Sequence, residues 1–385
     1  MTRDDHLFGP ANLPYGVYST PGRAPRVGTR LGGYVLDLAT VLDDDLFAGP
    51  SLSPFMAQGP QCWQQVRAAL QRAVADVAAD DLAAHLPPGA AVPIAEVTLH
   101  LPFEVTDYVD FYASEHHASN LGRLFRPEAP DPLTPNWRHL PISYTGRAGS
   151  IVVSGTDVVR PCGQRLPAGA TTPEVGPSQR LDLEAEVGFV VGVGNAMGEP
   201  ISIAATEQHL FGVVLFNDWS ARDLQAWEYV PLGPHLGKSF ASTVSPWVVP
   251  MAALEAARIP TPTQVPTPIG YLATDAPWGL DLSLEIQVNG VTLSRPPYAS
   301  TYWSPAQMLA HLTANGAPTR TGDLFASGTV SGPAADQVGS LIERGEGFLA
   351  DGDVVVLRAT APGTDGSRIG FGEARGRITP AKGHR

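Results

Sequence analysis

Glycine or proline stands at about every fifth position of this 385-residue chain, with 40 of the one and 37 of the other. Proline has no N–H to give a helix, and glycine loses the most backbone freedom on ordering. Breaks this frequent favour short strands and turns over long helices. Between them lie compact apolar runs: Ile151-Val-Val-Ser-Gly, Phe211-Gly-Val-Val-Leu-Phe, Trp247-Val-Val-Pro, Leu282-Ser-Leu-Glu-Ile-Gln-Val-Asn-Gly and Asp353-Val-Val-Val-Leu. Each reads as a strand. Val288-Asn-Gly-Val and Ala350-Asp-Gly-Asp carry tight-turn dipeptides. Strands do not alternate with helices and no repeat occurs, which argues against a Rossmann or TIM-barrel chain. The expectation is a mainly β (α+β), largely antiparallel protein, with Ser304 to Asn315 among its few helices.

Two units are predicted. Residues 1–100 open with a β-rich stretch, Tyr18 to Leu42, followed by an alanine-rich stretch of helical spacing, Gln61 to Leu86. Pro87-Pro-Gly-Ala-Ala-Val-Pro would link it to a strand-rich unit over 101–385. With 25 Lys and Arg against 38 Asp and Glu, the net charge is −13 and no basic block occurs. Such a chain repels nucleic acid and anionic membranes. No run reaches the ~20 apolar residues of a membrane span, and the first residues lack a signal-peptide core. Cys62 and Cys162 have no spacing of a metal site or disulfide framework. Together these features predict a cytoplasmic protein.

Chemistry concentrates around four acidic residues. In Leu181-Asp-Leu-Glu-Ala-Glu-Val, acidic and apolar positions alternate with the period of a strand. Glu184 and Glu186 would share a face, roughly 6–7 Å apart. Two carboxylates aimed at one space raise each other's pKa, and a hard divalent cation relieves that conflict. Asp182 belongs to the same alternation, which equally suits a solvated strand face. Asp107-Tyr-Val-Asp-Phe-Tyr-Ala-Ser-Glu-His-His sets Asp110, Tyr112, His116 and His117 close together. A histidine oriented by a carboxylate can act as a general base at neutral pH; the alternative is a solvated helix start. The run from Phe211 ends in Asn217-Asp218, where a strand terminus could present a functional carboxylate or cap the helix that follows. On that helix Arg222, Gln225 and Tyr229 share a face. Pro231-Leu-Gly-Pro-His-Leu-Gly-Lys-Ser is not a phosphate loop, because three residues rather than four separate Gly233 from Gly237. Lys238 is instead a candidate buried cation beside the carboxylates. Thr329 and Glu343 are ordinary by themselves.

Several segments taken together closely resemble the fumarylacetoacetase (fumarylacetoacetate hydrolase) family over nearly the whole chain. They are Asn12-Leu-Pro-Tyr-Gly-Val-Tyr-Ser-Thr, the stretch from Asp107 to Gly122, Pro135-Asn-Trp-Arg-His-Leu-Pro, Arg180-Leu-Asp-Leu-Glu-Ala-Glu, Asn217-Asp-Trp-Ser-Ala-Arg-Asp, Trp227-Glu-Tyr-Val-Pro-Leu-Gly-Pro, Gly237-Lys-Ser-Phe and Ala326-Ser-Gly-Thr-Val-Ser-Gly. The resemblance implies a small SH3-like N-terminal domain, a large mixed β-roll C-terminal domain and a homodimer. It implies a small diketo-acid substrate, 4-fumarylacetoacetate, cleaved by water to fumarate and acetoacetate as the last step of tyrosine and phenylalanine degradation. It also implies Ca²⁺ or Mg²⁺ as cofactor, and oxygen ligands accept Mn²⁺ as well. By motif position, Asp110, Glu184, Glu186 and Asp218 fall on the metal ligands, with Lys238 and Ser242 adjoining. His117 falls on the catalytic histidine and Glu343 on its orienting carboxylate, with Lys238, Gln225 and Arg222 in the same catalytic set. Tyr112, Arg126, Tyr144, Gln225, Tyr229 and Thr329 fall on substrate-contacting positions. Glu115-His116 departs from the basic residue and amide expected there, and a new carboxylate beside the base could alter its pKa. The rivals are a sibling diketo-acid enzyme (acylpyruvate hydrolase, oxo-acid decarboxylase or dienoate isomerase) and a non-catalytic metal-binding β protein.

Overall fold

The computed structural model describes residues 4–75 and 82–383, so residues 76–81 of the expected helical stretch lie outside the described residues. In the front region five strands pair in the order Ala91–Pro93, Tyr34–Asp37, Arg26–Leu31, Tyr15–Ser19, Thr98–His100. The expected linker at 87–93 is therefore partly a strand: Val92 pairs with Val35, and Pro93 takes an edge position, where its missing N–H breaks no inner ladder. The β-rich stretch also ends earlier than expected. Asp37 accepts a hydrogen bond from the Thr40 N–H at 2.9 Å and caps a short helix, Leu38–Leu42. Helix Pro60–Val74 follows, with proline in its first turn after Gly59 at φ 84°.

The larger region is built on an eight-stranded sheet. Its main path runs Ser143–Thr145, Tyr108–Phe111, Leu324–Ala326, Ala185–Val191, Leu210–Asp218, Ser242–Val244, Ile151–Val153. Most pairs are antiparallel; Leu324–Ala326 with Tyr108–Phe111 and Ser242–Val244 with Ile151–Val153 are parallel. A second sheet orders Val291–Ser294, Ser283–Val288, Val354–Pro362, Arg368–Thr379, Val158–Val159. The turn at Asn289-Gly290 has both residues at positive φ (53° and 79°), as a two-residue hairpin of this twist requires.

Strand Leu210–Asp218 is buried throughout, which explains its unbroken apolar run. Phe211, Val214 and Phe216 pack with Phe55 and Leu70 of the front region. Val213 and Leu215 pack with Phe189 and Leu357 on the other side. The central sheet is thus sandwiched between the front region and the second sheet. Side chains alternate along a strand, so Asp218 continues the face of Phe216 and Val214, Asp110 that of Tyr108, and Glu186 that of Val190. All seven point to the side of the sheet that meets the front region. Among the described residues, no helix is long and apolar enough to cross a membrane.

Candidate active site

The strand expected across 181–191 is interrupted. Leu181–Asp182 and Ala185–Val191 are separate strands, and Glu184 lies in the break, bridged to Ser340. Nor is the acidic side solvated, since Asp182, Glu184 and Glu186 are all buried. Asp110, Glu184, Glu186 and Asp218 each offer a carboxylate oxygen within 4.8 Å of the others.

Two cations offset part of this negative charge. Lys238 Nζ bonds Glu184 and, at 2.7 Å, Asp218. Arg222 Nη1 reaches Glu184 at 2.7 Å. Burial alone would raise the Glu184 carboxyl, but the charges of Lys238 and Arg222 hold it at about 2. Lys238 also acts on Asp110 and Glu186, but there it is outweighed. Burial, then the neighbouring carboxylates, pushes both well above the usual carboxylate range. Asp110 Oδ1 and both Glu186 oxygens have no hydrogen-bond partner. Buried, unpartnered, mutually repelling carboxylate oxygens are unfavourable without a counter-charge. An oxygen-seeking divalent cation supplies it, and this oxygen-only set fits a hard metal better than a soft one. Asp218 is differently placed. Ser242 Oγ donates to its Oδ1 at 2.9 Å, and Tyr144 to its Oδ2 at 3.1 Å.

Beside the cluster stands the histidine pair. Strand Tyr108–Phe111 leads into helix Glu115–Phe125, whose N-cap, Ser114, accepts from the His117 N–H at 3.3 Å. His117 is 2% exposed. Its Nδ1 donates to Glu343 Oε2 at 2.8 Å, which leaves Nε2 of the neutral ring as the acceptor. Glu343 also accepts from Asn120 Nδ2 (2.9 Å), Ser331 Oγ (2.9 Å) and Ser340 Oγ (2.7 Å). Burial opposes its charge, but His117 and these donors hold it at about 2. The Tyr112 ring stands edge-on to His117, centroids 5.4 Å apart.

Arg222 joins the two groups. Its Nε donates to Asp182 at 2.9 Å and its Nη1 to Gln225 Oε1 at 3.2 Å. Asp182 also accepts from the N–H groups of Leu341 (2.8 Å) and Ile342 (3.1 Å), at the start of the short helix that carries Glu343. Its membership of the acidic alternation was the one sequence signal for this role. The partners of Glu343 at 120, 331 and 340 left no local signal.

The substrate-contacting set is less closely gathered. Tyr144, Gln225 and Tyr112 touch the cluster, Arg222 or His117. The Thr329 hydroxyl is buried without a partner. Arg126 is exposed and donates to the Pro132 carbonyl at 2.7 Å, although its charge reaches the Tyr112 phenol. Tyr229, at the end of helix Arg222–Glu228, is 48% exposed. Glu115 is held by Arg138 at 2.6 Å, and no bond joins it to His117.

Comparison with known proteins agrees across the chain. The family model described as fumarylacetoacetate (FAA) hydrolase C-terminal matches residues 107–379, and that described as fumarylacetoacetase N-terminal matches residues 11–102. Human fumarylacetoacetase is 43% identical over 412 residues, covering 98% of this chain and 97% of the relative. The fumarylacetoacetase of Caenorhabditis elegans is 44% identical over 404 residues, covering 96% of each. Among solved structures, a fumarylacetoacetate hydrolase from Exiguobacterium antarcticum superposes with a TM-score of 0.60 over 96% of this chain and 99% of its own, at 19% identity. That likeness supports the fold alone.

Proposed function

This chain belongs to the fumarylacetoacetase family, matched in both of its regions, and on that premise we propose that it hydrolyses the carbon–carbon bond of 4-fumarylacetoacetate to fumarate and acetoacetate. The single observation that carries the chemistry is the His117–Glu343 pair beside a buried cluster of oxygen ligands. Ca²⁺ or Mg²⁺ suits those ligands, and Mn²⁺ is also compatible. Held by Asp110, Glu184, Glu186 and Asp218, such a cation supplies Lewis acidity toward the substrate's carbonyl oxygens.

Two obstacles face the reaction: water is a weak nucleophile, and the leaving group is a carbanion. His117 answers the first. Its Nε2 takes a proton from water while the ionised Glu343 steadies the imidazolium that forms. The water oxygen adds to the fumaryl-side carbonyl. The bond to the acetoacetyl methylene then breaks, and its electron pair passes into the adjacent carbonyl as an enolate. Lys238, kept cationic by Asp218 and Glu184, and Gln225 support the developing oxyanion or return a proton to carbon. Arg222 holds Gln225 and Glu184 in place. Tyr112, Tyr144, Tyr229, Thr329 and Arg126 line the substrate's path, with Arg126 suited to a carboxylate.

The same premise supports an SH3-like unit over 1–100, a catalytic unit over 101–385, and a cytoplasmic homodimer. The His117–Glu343 pair and the match through residues 11–102 favour this reading over the sibling diketo-acid enzymes. The test follows the diketo absorbance of fumarylacetoacetate with chelator-stripped protein, with and without Ca²⁺ or Mg²⁺. Metal-dependent decay to fumarate and acetoacetate is expected. Absence of decay with folded, metal-loaded protein would overturn the reading.

A further inference from the structure

The substrate of the reading above, on which this inference rests, is a diacid with a carboxylate at each end. Family position supplies one guanidinium for it, Arg126. A cleft of about 200 Å³ opens onto the acidic cluster at Asp218. Asp218, Lys238, Tyr144 and Ser242 form its inner wall, and Arg147 and His235 also line it. His117, Tyr112 and Glu343 do not.

The charge in this cleft is uneven. Asp218 is the one carboxylate among its lining residues, and it already accepts from Ser242, Lys238 and Tyr144. Arg147 is exposed and, among the described residues, has neither an ion pair nor a side-chain hydrogen bond. Arg138, Arg160 and Arg165, by contrast, each hold a carboxylate. The backbone that presents Arg147 is fixed on both sides. A Cβ on Gly146 would lie 2.2 Å from the Tyr108 ring, so only glycine lets the chain pack there. The Arg147 carbonyl accepts from Ser150 Oγ at 3.0 Å. An arginine on a fixed backbone, with five free N–H donors at a cleft whose inner wall carries a lysine, suits a bidentate carboxylate.

We propose that Arg147, assisted by His235, anchors the carboxylate at the acetoacetyl end of the substrate. Lys238 lies on this side and serves the departing acetoacetyl part. His117 and Tyr112 mark the side from which water meets the fumaryl carbonyl, which leaves Arg126 to the fumaryl carboxylate. Arg147 is a specificity residue: it binds the substrate away from the bond that breaks.

The experiment measures steady-state kinetics and product inhibition on metal-loaded wild type, Arg147→Gln and Arg147→Lys. Loss of a charge-assisted pair should raise KM about ten- to a hundredfold, with kcat changed much less. The inhibition constant of acetoacetate should rise in parallel and that of fumarate should stay put. Arg147→Lys should recover part of the loss. Acetoacetate should raise the melting temperature of wild type more than that of Arg147→Gln, a readout independent of turnover. If wild type fails to cleave fumarylacetoacetate, the underlying reading fails and this one with it. If wild type cleaves but Arg147→Gln keeps its KM and acetoacetate inhibition, or loses fumarate inhibition instead, the assignment is overturned.

Discussion

Glu343 receives hydrogen bonds from four side chains, and its carboxyl is held at about 2. The unfolded chain, with an ordinary carboxylate, binds a proton more readily than the folded one. Its contribution to stability is therefore fully present above the ordinary carboxylate pKa and fades as pH falls toward 2. Glu343→Gln should lower stability by about 3 kcal/mol near neutrality. The gap in melting temperature between wild type and variant should narrow from pH 6 to pH 3; a gap that stays constant would remove the carboxylate's charge as its cause. Turnover of the same variant should fall at least about a hundredfold, because a neutral amide cannot balance the imidazolium. At this scale the four acidic residues were legible as a set, because acidic side chains recur within or at the ends of strand-forming apolar runs, although each alone also suited a solvated face or a helix cap. Asn120, Ser331 and Ser340 were not. Each is an unremarkable polar residue until folding brings it to Glu343, and Asn120 lies 223 positions away.

At the scale of elements, the break between Leu181–Asp182 and Ala185–Val191 matters most. An uninterrupted strand would set Glu184 by simple alternation. The break instead lets Asp182 receive Arg222 and the start of the helix that bears Glu343. One carboxylate thereby couples the neighbourhood of the His117–Glu343 pair to that of the acidic cluster. Asp182→Ala removes the partner of the buried Arg222 Nε and of two buried N–H groups, so a loss of about 3–5 kcal/mol in urea unfolding is expected. Asp182→Asn should be milder in stability yet still reduce turnover about tenfold or more by loosening both partners. Wild-type turnover in a folded Asp182→Asn protein would show that the coupling has no catalytic role. Strands rich in valine and leucine, and the capped helix Pro305–Thr313, could be read locally. The strand at Ala91–Pro93 could not, because its partner is Tyr34–Asp37 and nothing near residue 91 records that pairing.

For the whole molecule, a cation held by the acidic cluster would couple metal occupancy to folding. Chelator should lower the melting temperature, and Ca²⁺ or Mg²⁺ should restore it. At a hundredfold excess over its dissociation constant, a ligand that binds only the folded state contributes about 2.7 kcal/mol. Glu186→Gln, which removes one repelling charge and one ligand, should blunt this response in a thermal-shift series. An unaltered response would place the cation elsewhere. The overall class was visible in the glycine and proline punctuation. The packing of Phe55 and Leu70 from the front region against the central sheet was not, since an apolar residue does not reveal which surface it will cover. The ligand positions have one more consequence. They recur at 110, 184, 186 and 218 along the chain, so a bound cation pins distant lengths of backbone to a single point, as a covalent cross-link would. Cys62 and Cys162 remain free thiols. With the cation bound, the protein would have a clasp that is indifferent to reductants and opens instead to whatever competes for hard divalent ions.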